Sequence, residues 1–283
     1  MKKIELLPGI KSSALGFGCA SILGAKDRKT SIRAIEIALD LGINHFDVAR
    51  SYGFGEAEGL VGKVLKSRRD KVVIASKFGI VPNWKANLFN PLKPAIRMIR
   101  SFGKEPQRIG NKSNGGSSNL FLNRILPLKN VTMIKSLEKS LDELNTDYLD
   151  YLFIHETLNN IEHIDEIRDT AELLKNQGKI RGFGIAYMNS QRHLHSSYID
   201  MLDVRQFDVP NDLKDYAEIK STRGNSPNVL FSPFNVNDNR QFISPKDKVK
   251  TLLGDFPKSV ILCSMFNPEH LIENVSIAND FSN

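Results

Sequence analysis

The sequence predicts an α/β fold, a closed (β/α)8 TIM barrel, and three observations carry that reading. The chain has 283 residues, which suits one barrel of roughly 250 residues. Segments with strand and helix periodicity alternate along it, eight of each, which calls for parallel strands joined by right-handed crossovers. An open nucleotide-binding sheet would give the same alternation, but its Gly-x-Gly-x-x-Gly spacing is missing. Gly16-Phe17-Gly18 is followed by Ser21, Gly53-Phe54-Gly55 by Glu58, and Gly182-Phe183-Gly184 by Tyr187. A phosphate-loop spacing fails too, because Ala57 stands where the glycine before Gly62 is needed.

The elements follow in order. Pro8-Gly9 separates two short extended segments, which predicts an N-terminal β-hairpin. Residues 14–18 read as the first barrel strand. Residues 30–41 carry Ile32, Ile35, Ala38 and Leu39 at helical spacing and end at Gly42. Strand 43–46, helix 56–67 and the β-branched strand 71–76 follow. The rhythm breaks over residues 81–129, a proline-rich insertion after the third strand that is too long for a simple connection. Within it, residues 96–102 predict a short helix and the Gly/Ser tract 110–119 a flexible loop. Alternation returns with helix 131–144, strand 148–154, helix 161–176 ended by Gly178, and strand 180–185. A weak helix over 191–198, strand 202–207, helix 213–221, strand 229–232, helix 246–253, strand 259–262 and helix 268–278 complete the ring. The whole chain, 1–283, is read as a single domain.

Composition narrows the function classes. Apolar residues make up 41% and charged residues 25%, ordinary values for a globular protein. The net charge of +7 suits an anionic small ligand. The basic residues are spread along the chain with no arm interleaved with aromatics, so nucleic acid is not the expected partner. Cys19 and Cys263 stand far apart with no metal-ligand spacing, so neither a disulfide framework nor a metal site is expected. No run approaches a membrane span or a secretory leader, which makes the cytoplasm the expected location.

In an eightfold barrel, chemistry sits where the strands end. Asp47 follows the second barrel strand, with Tyr52 in the loop beyond it; Lys77 follows the third and His155 the fourth. Each has a bland alternative taken alone: a turn cap, a packed loop aromatic, a solvated lysine and a rim histidine. Together they make a coherent set. A phenol with a pKa near 10 is a reluctant acid or base unless its anion is stabilised. An ammonium does that, a carboxylate keeps the ammonium charged, and an imidazole can orient a substrate oxygen. The set suits reduction of a carbonyl.

These segments resemble the aldo-keto reductase superfamily. GINHFDVARSYGFGEAEGLVGKVLK resembles the family signature, VVIASKFG its lysine strand, and SLEKSLDELNTDYLDYLFIH the helix and strand ending in the family histidine. GKIRGFGIA, FSPF and NPEHLIEN are similar to later segments, and the resemblance is looser after residue 186. It implies an enzyme that uses NADP or NAD to interconvert a small-molecule carbonyl and its alcohol. Tyr52 would be the general acid, Lys77 paired with Asp47 would lower its pKa, and His155 would orient the carbonyl. The resemblance also implies a cofactor site. Gly18, Cys19 and Asp47 would contribute to it, Phe231 would stack on the nicotinamide, and Gln206 would bond its carboxamide. Ser232, Pro233 and Phe234 would follow the pyrophosphate, and Glu273 and Asn274 would face the adenine.

This sequence departs from the family pattern in two places. Ala186 and Tyr187 stand where relatives carry the Ser-Asn pair of the carboxamide site, with Tyr187 left as the contact. Ser264, Met265, Phe266 and His270 stand where basic side chains usually hold the 2′-phosphate, so the resemblance leaves the choice between NAD and NADP open. Trp84 is expected in the substrate pocket or as an anchor for the insertion. The short segment after the last helix implies an open substrate site without a C-terminal loop. A non-catalytic nicotinamide-nucleotide-binding module on the same fold is the alternative, and a Schiff-base lyase built on Lys77 is disfavoured by Asp47 beside it. The sequence does not indicate an oligomeric state.

Overall fold

The computed structural model describes residues 1–83, 123–155, 160–234 and 244–281. Eight parallel strands close into a barrel in the ring order β3-β4-β5-β8-β9-β10-β11-β12, with β12 returning to β3. They are β3 (Leu15–Gly18), β4 (His45–Asp47), β5 (Val73–Phe78), β8 (Leu149–His155), β9 (Ile180–Tyr187), β10 (Val204–Asp208), β11 (Asn228–Phe231) and β12 (Val260–Cys263). The expected (β/α)8 TIM barrel is the observed fold.

β1 (Lys3–Leu7) and β2 (Ile10–Ser13) form the expected antiparallel hairpin, turned at Gly9 with φ 79°. It lies across the N-terminal ends of the barrel strands. Ser12 Oγ and His45 Nδ1 of β4 are 2.9 Å apart, and Arg181 of β9 donates to the Gly9 carbonyl at 3.0 Å. The chemistry is thereby left to the opposite end.

Inside the barrel, small and large residues interlock. A Cβ at Gly184 would lie 2.1 Å from the Val204 carbonyl oxygen and 2.8 Å from the Phe153 ring. Glycine at that position makes room for the ring of Phe153, and Tyr151 and His45 stack below it with centroids 6.0 Å apart.

The outer layer is set by local signals. Helix α1 (Arg28–Asp40) starts at Asp27, whose carboxylate accepts from the Thr30 amide. It ends where Gly42 takes φ 86° and the Ile43 amide reaches the Ala38 carbonyl at 2.9 Å. Helix α2 (Ala57–Leu65) crosses α3 (Asn130–Leu144) so closely that a Cβ at Gly62 would lie 2.3 Å from the Leu144 carbonyl oxygen. Helices α4 (Ile164–Asn176), α5 (Leu213–Arg223), α6 (Pro245–Asp255) and α7 (Pro268–Asp280) cover the remaining strands.

Two expectations change. The weak helix over 191–198 is a pair of 3-10 turns, Asn189–His195 and Ile199–Met201. That stretch buries His195, Tyr198 and Ile199 but offers no apolar stripe at helical spacing, so nothing holds a full α-helix there. The insertion opens and closes with an antiparallel pair, β6 (Ile80–Pro82) and β7 (Asn123–Ile125). The expected helix at 96–102, the tract 110–119 and Trp84 lie outside the described residues. Among the described residues, no helix is long and apolar enough to cross a membrane, and no cluster of three metal-ligating side chains occurs.

Candidate active site

Three short strands bring the site together. Asp47 is the last residue of β4 and His155 the last of β8; Lys77 lies inside β5, one residue before its end. Register places Asp47 beside Ala75 and Lys77 beside Phe153, so the three side chains converge on the C-terminal mouth. Lys77 Nζ donates to Asp47 Oδ1 at 2.5 Å and to the Val48 carbonyl at 3.1 Å. Burial pulls the Lys77 pKa down, but Asp47 and then Tyr52, each by charge and by a side-chain hydrogen bond, outweigh it and raise it above the usual lysine value. The ammonium is therefore retained.

Tyr52 opens the turn Tyr52–Gly55 after β4. In that turn Gly53, Phe54 and Gly55 all take positive φ, and a Cβ at Gly53 would lie 2.6 Å from the Ile22 carbonyl oxygen. This left-handed turn swings the phenol back over the mouth. Its ring centroid lies 5.2 Å from Lys77 Nζ and 5.9 Å edge-on from the His155 ring. The four residues singled out in the sequence are thus adjacent. Burial, helped by the Lys77 charge, pushes the His155 pKa down to about 3. Its Nδ1 is buried with no hydrogen-bond partner among the described residues.

The expected cofactor residues divide. Gln206, from β10, donates Nε2 to Asp47 Oδ2 at 2.9 Å, while its Oε1 is buried with no partner among the described residues. Gly18 lies beside Asp47 in register, and the Cys19 amide donates to the Asp47 carbonyl at 2.9 Å. The Cys19 thiol is fully buried, and burial raises its pKa strongly. Phe231 ends β11, half-buried; Ser232 follows at φ 53°, then buried Pro233 and half-buried Phe234. Asn274 is buried on α7, whereas Glu273 is partly exposed and paired with Lys246.

Tyr187 is not brought to the mouth. In β9 it pairs with Phe207, on the face opposite Gln206, and packs against the rings of Phe207 and His195, each 5.8 Å away. Strand alternation is the cause: Ala186 shares the inner face with Gln206, so its neighbour must face the outer layer. The departure from Ser-Asn leaves no side chain from 186 or 187 to hydrogen-bond a ligand at the mouth. Met265 and Phe266 are also packed inward, with Phe266 edge-on to Phe17 at 5.3 Å.

One buried network escaped the sequence reading. Arg50 Nη1 donates to Glu58 Oε2 at 2.5 Å, and Ser76 Oγ donates to Glu58 Oε1 at 2.6 Å. Alternation alone puts Ser76 on the face opposite Lys77, but nothing in the sequence pairs it with a carboxylate on α2.

A parallel barrel with a phenol, an ammonium–carboxylate pair and an imidazole at its C-terminal mouth defines a class of protein fitted for proton transfer at a polarised oxygen. Residues 14–195 match the sequence model of the Aldo/keto reductase family, and the chain belongs to that family. It is 32% identical to the aldo-keto reductase YhdN of Bacillus subtilis (strain 168) over 188 residues, 63% of this chain and 44% of that protein. It is 29% identical to the NADH-specific methylglyoxal reductase of Escherichia coli (strain K12) over 218 residues, 72% of this chain and 59% of that protein. The matched stretches thus span between two-fifths and three-fifths of these relatives' lengths. In fold, it is similar to an aldo-keto reductase of Bacillus halodurans in its holo form, with TM-score 0.66, 22% identity and coverage of 98% of this chain and 90% of that one. It is similar also to one from Klebsiella pneumoniae in complex with NADPH, with TM-score 0.63, 18% identity and coverage of 98% and 89%.

Proposed function

We propose that the protein interconverts a small aldehyde or ketone and its alcohol with a nicotinamide dinucleotide. The observation that carries this is the Tyr52 phenol lying against both the charged Lys77 and the neutral His155. When bound, the dinucleotide would supply or accept the hydride. The mouth fits such a group: the buried Gln206 Oε1, without a partner among the described residues, matches the amide hydrogens of a carboxamide, and half-buried Phe231 offers a ring face. Gly18, Cys19, Ser232, Pro233, Phe234, Glu273 and Asn274 are the further residues we infer to line it.

The chain's own residues divide the proton work. With a pKa near 3, His155 is neutral at physiological pH. It orients the substrate oxygen by hydrogen bonding and does not protonate it. Tyr52 is then the group that gives its proton to the oxygen in reduction and takes it back in oxidation. Lys77 favours the phenolate that remains, and Asp47 keeps Lys77 charged and fixed.

The cofactor follows from what packs where a 2′-phosphate would need cations. Met265 and Phe266 are buried there. With no guanidinium in the stretch 264–270, the protein should discriminate weakly between NAD(H) and NADP(H). The test is separate titration of both nucleotides, then turnover on a panel of aldehydes, ketones and alcohols. The dissociation constants should lie within about tenfold of each other, with turnover on at least one carbonyl. Binding of both nucleotides with no turnover on any substrate would point to a binding module instead.

A further inference from the structure

Glu58 is a buried carboxylate that the chemistry above does not use. Its side chain is 1% exposed, in the first turn of α2. Among the described residues it has two partners. One is Arg50, two residues before Tyr52; the other is Ser76, the residue before Lys77. Arg50 lies in the segment that leads into the Tyr52 turn and Ser76 lies in the Lys77 strand, and Glu58 holds both.

Stability alone does not account for this arrangement. Removing two charges from water costs several kcal/mol per ion, and a well-packed apolar replacement of a buried pair is often as stable or more so. Here the cost is not fully compensated, because Arg50 Nε is buried with no partner among the described residues. What the pair does supply is registry, the best-attested use of a buried ionic group. The need for registry is visible in the turn itself. Phe54 sits at φ 59°, a conformation a bulky residue adopts only when its surroundings impose it. The helix under Glu58 is closely packed: Gly62, one turn on, abuts the Leu144 carbonyl of α3 with no space for even a methyl group.

We propose that Glu58 is a positioning residue of the active site, which fixes the distance between the Tyr52 hydroxyl and the Lys77 ammonium by tying Arg50 to Ser76. The inference rests on the reductase reading for its effect on rate, but not for its effect on the phenol. Among the described residues, Lys77 and His155 lie against the Tyr52 ring, and Asp47 acts on it through Lys77. Loosening the tie weakens the coupling of the phenol to the ammonium, which is the contact that favours its anion.

The experiment therefore has two readouts. Near-ultraviolet difference titration of the protein against its Tyr52→Phe variant isolates the ionisation of that one phenol and needs no turnover. It is repeated in Glu58→Gln and in Ser76→Ala, each against its own Tyr52→Phe partner. Glu58→Gln keeps the volume and loses the charge; Ser76→Ala cuts one tie, leaves the ion pair, and carries the test if Glu58→Gln fails to fold. The expected result is a Tyr52 ionisation moved to higher pH in both variants. With it should come a kcat lower by about tenfold to a hundredfold and nucleotide affinity within twofold. A variant that melts earlier but keeps the phenol's titration, and its rate per nucleotide-binding site, would overturn the positioning role. Absence of turnover in the unmodified protein would count against the reductase reading alone, since the titration still decides the role of Glu58.

Discussion

Lys77 stays charged at the barrel mouth because Asp47 and Tyr52 overcome the burial that would neutralise it. Asp47 in turn depends on Lys77, since Gln206 is its other side-chain partner among the described residues. Lys77→Met should therefore leave a buried carboxylate poorly compensated, at a cost of about 3–5 kcal/mol. Asp47→Asn combined with Lys77→Met should recover part of that loss, and urea unfolding of both variants measures it. A single variant as stable as the parent would show that Asp47 is not held by its lysine. The two barrel histidines make an opposite prediction with pH. Burial, then Lys77, lowers both His45 and His155 to about 3. Between about 3 and the ordinary value near 6.5 the unfolded chain binds protons that the folded protein refuses. Their neutral state is thus fully stabilising above about pH 6.5, and stability falls on acidification toward 3, by up to roughly 1.4 kcal/mol per pH unit for each histidine. His45→Gln should remove one of the two contributions from the slope. An unchanged slope between pH 4 and 6 would contradict the assignment.

At the scale of elements, α2 packs closely on α3. Gly62→Ala would drive a methyl group into the Leu144 backbone, 2.3 Å from its carbonyl oxygen and 2.6 Å from its Cα. Backbone cannot rotate away as a side chain can, so α2 must shift. We expect a loss of about 1–3 kcal/mol in thermal or urea unfolding. A neutral Gly62→Ala would mean that the helices slide freely. The strands and most helices were legible in the sequence because each carries its own signal, such as the 30–41 stripe or the β-branched run at 71–76. Asp47, Lys77 and His155 were legible because strand ends in a barrel point to one rim. The turn holding Tyr52 was legible only as a motif. The direction of Tyr187 was missed because it follows from strand register, which a linear pattern does not display. The 3-10 turns at 189–201 were missed because isolated apolar residues imitate a weak helix.

For the molecule as a whole, the hairpin β1–β2 closes one end of the barrel and leaves the other to the side chains of β4, β5, β8 and β10. A nucleotide that binds at that mouth binds the closed ring and not the unfolded chain, so it must raise the melting temperature by an amount that grows with the logarithm of its concentration over its dissociation constant. The proposed chemistry turns on a single proton, and one substitution isolates it. Tyr52→Phe removes the hydroxyl and keeps the ring against His155. Measured as kcat on the best carbonyl substrate, with nucleotide affinity followed in parallel by the shift in melting temperature, the variant should lose about a hundredfold to ten-thousandfold in rate while binding stays within a few-fold. A variant that turns over at the parent's rate would show that the proton comes from elsewhere and would contradict the account.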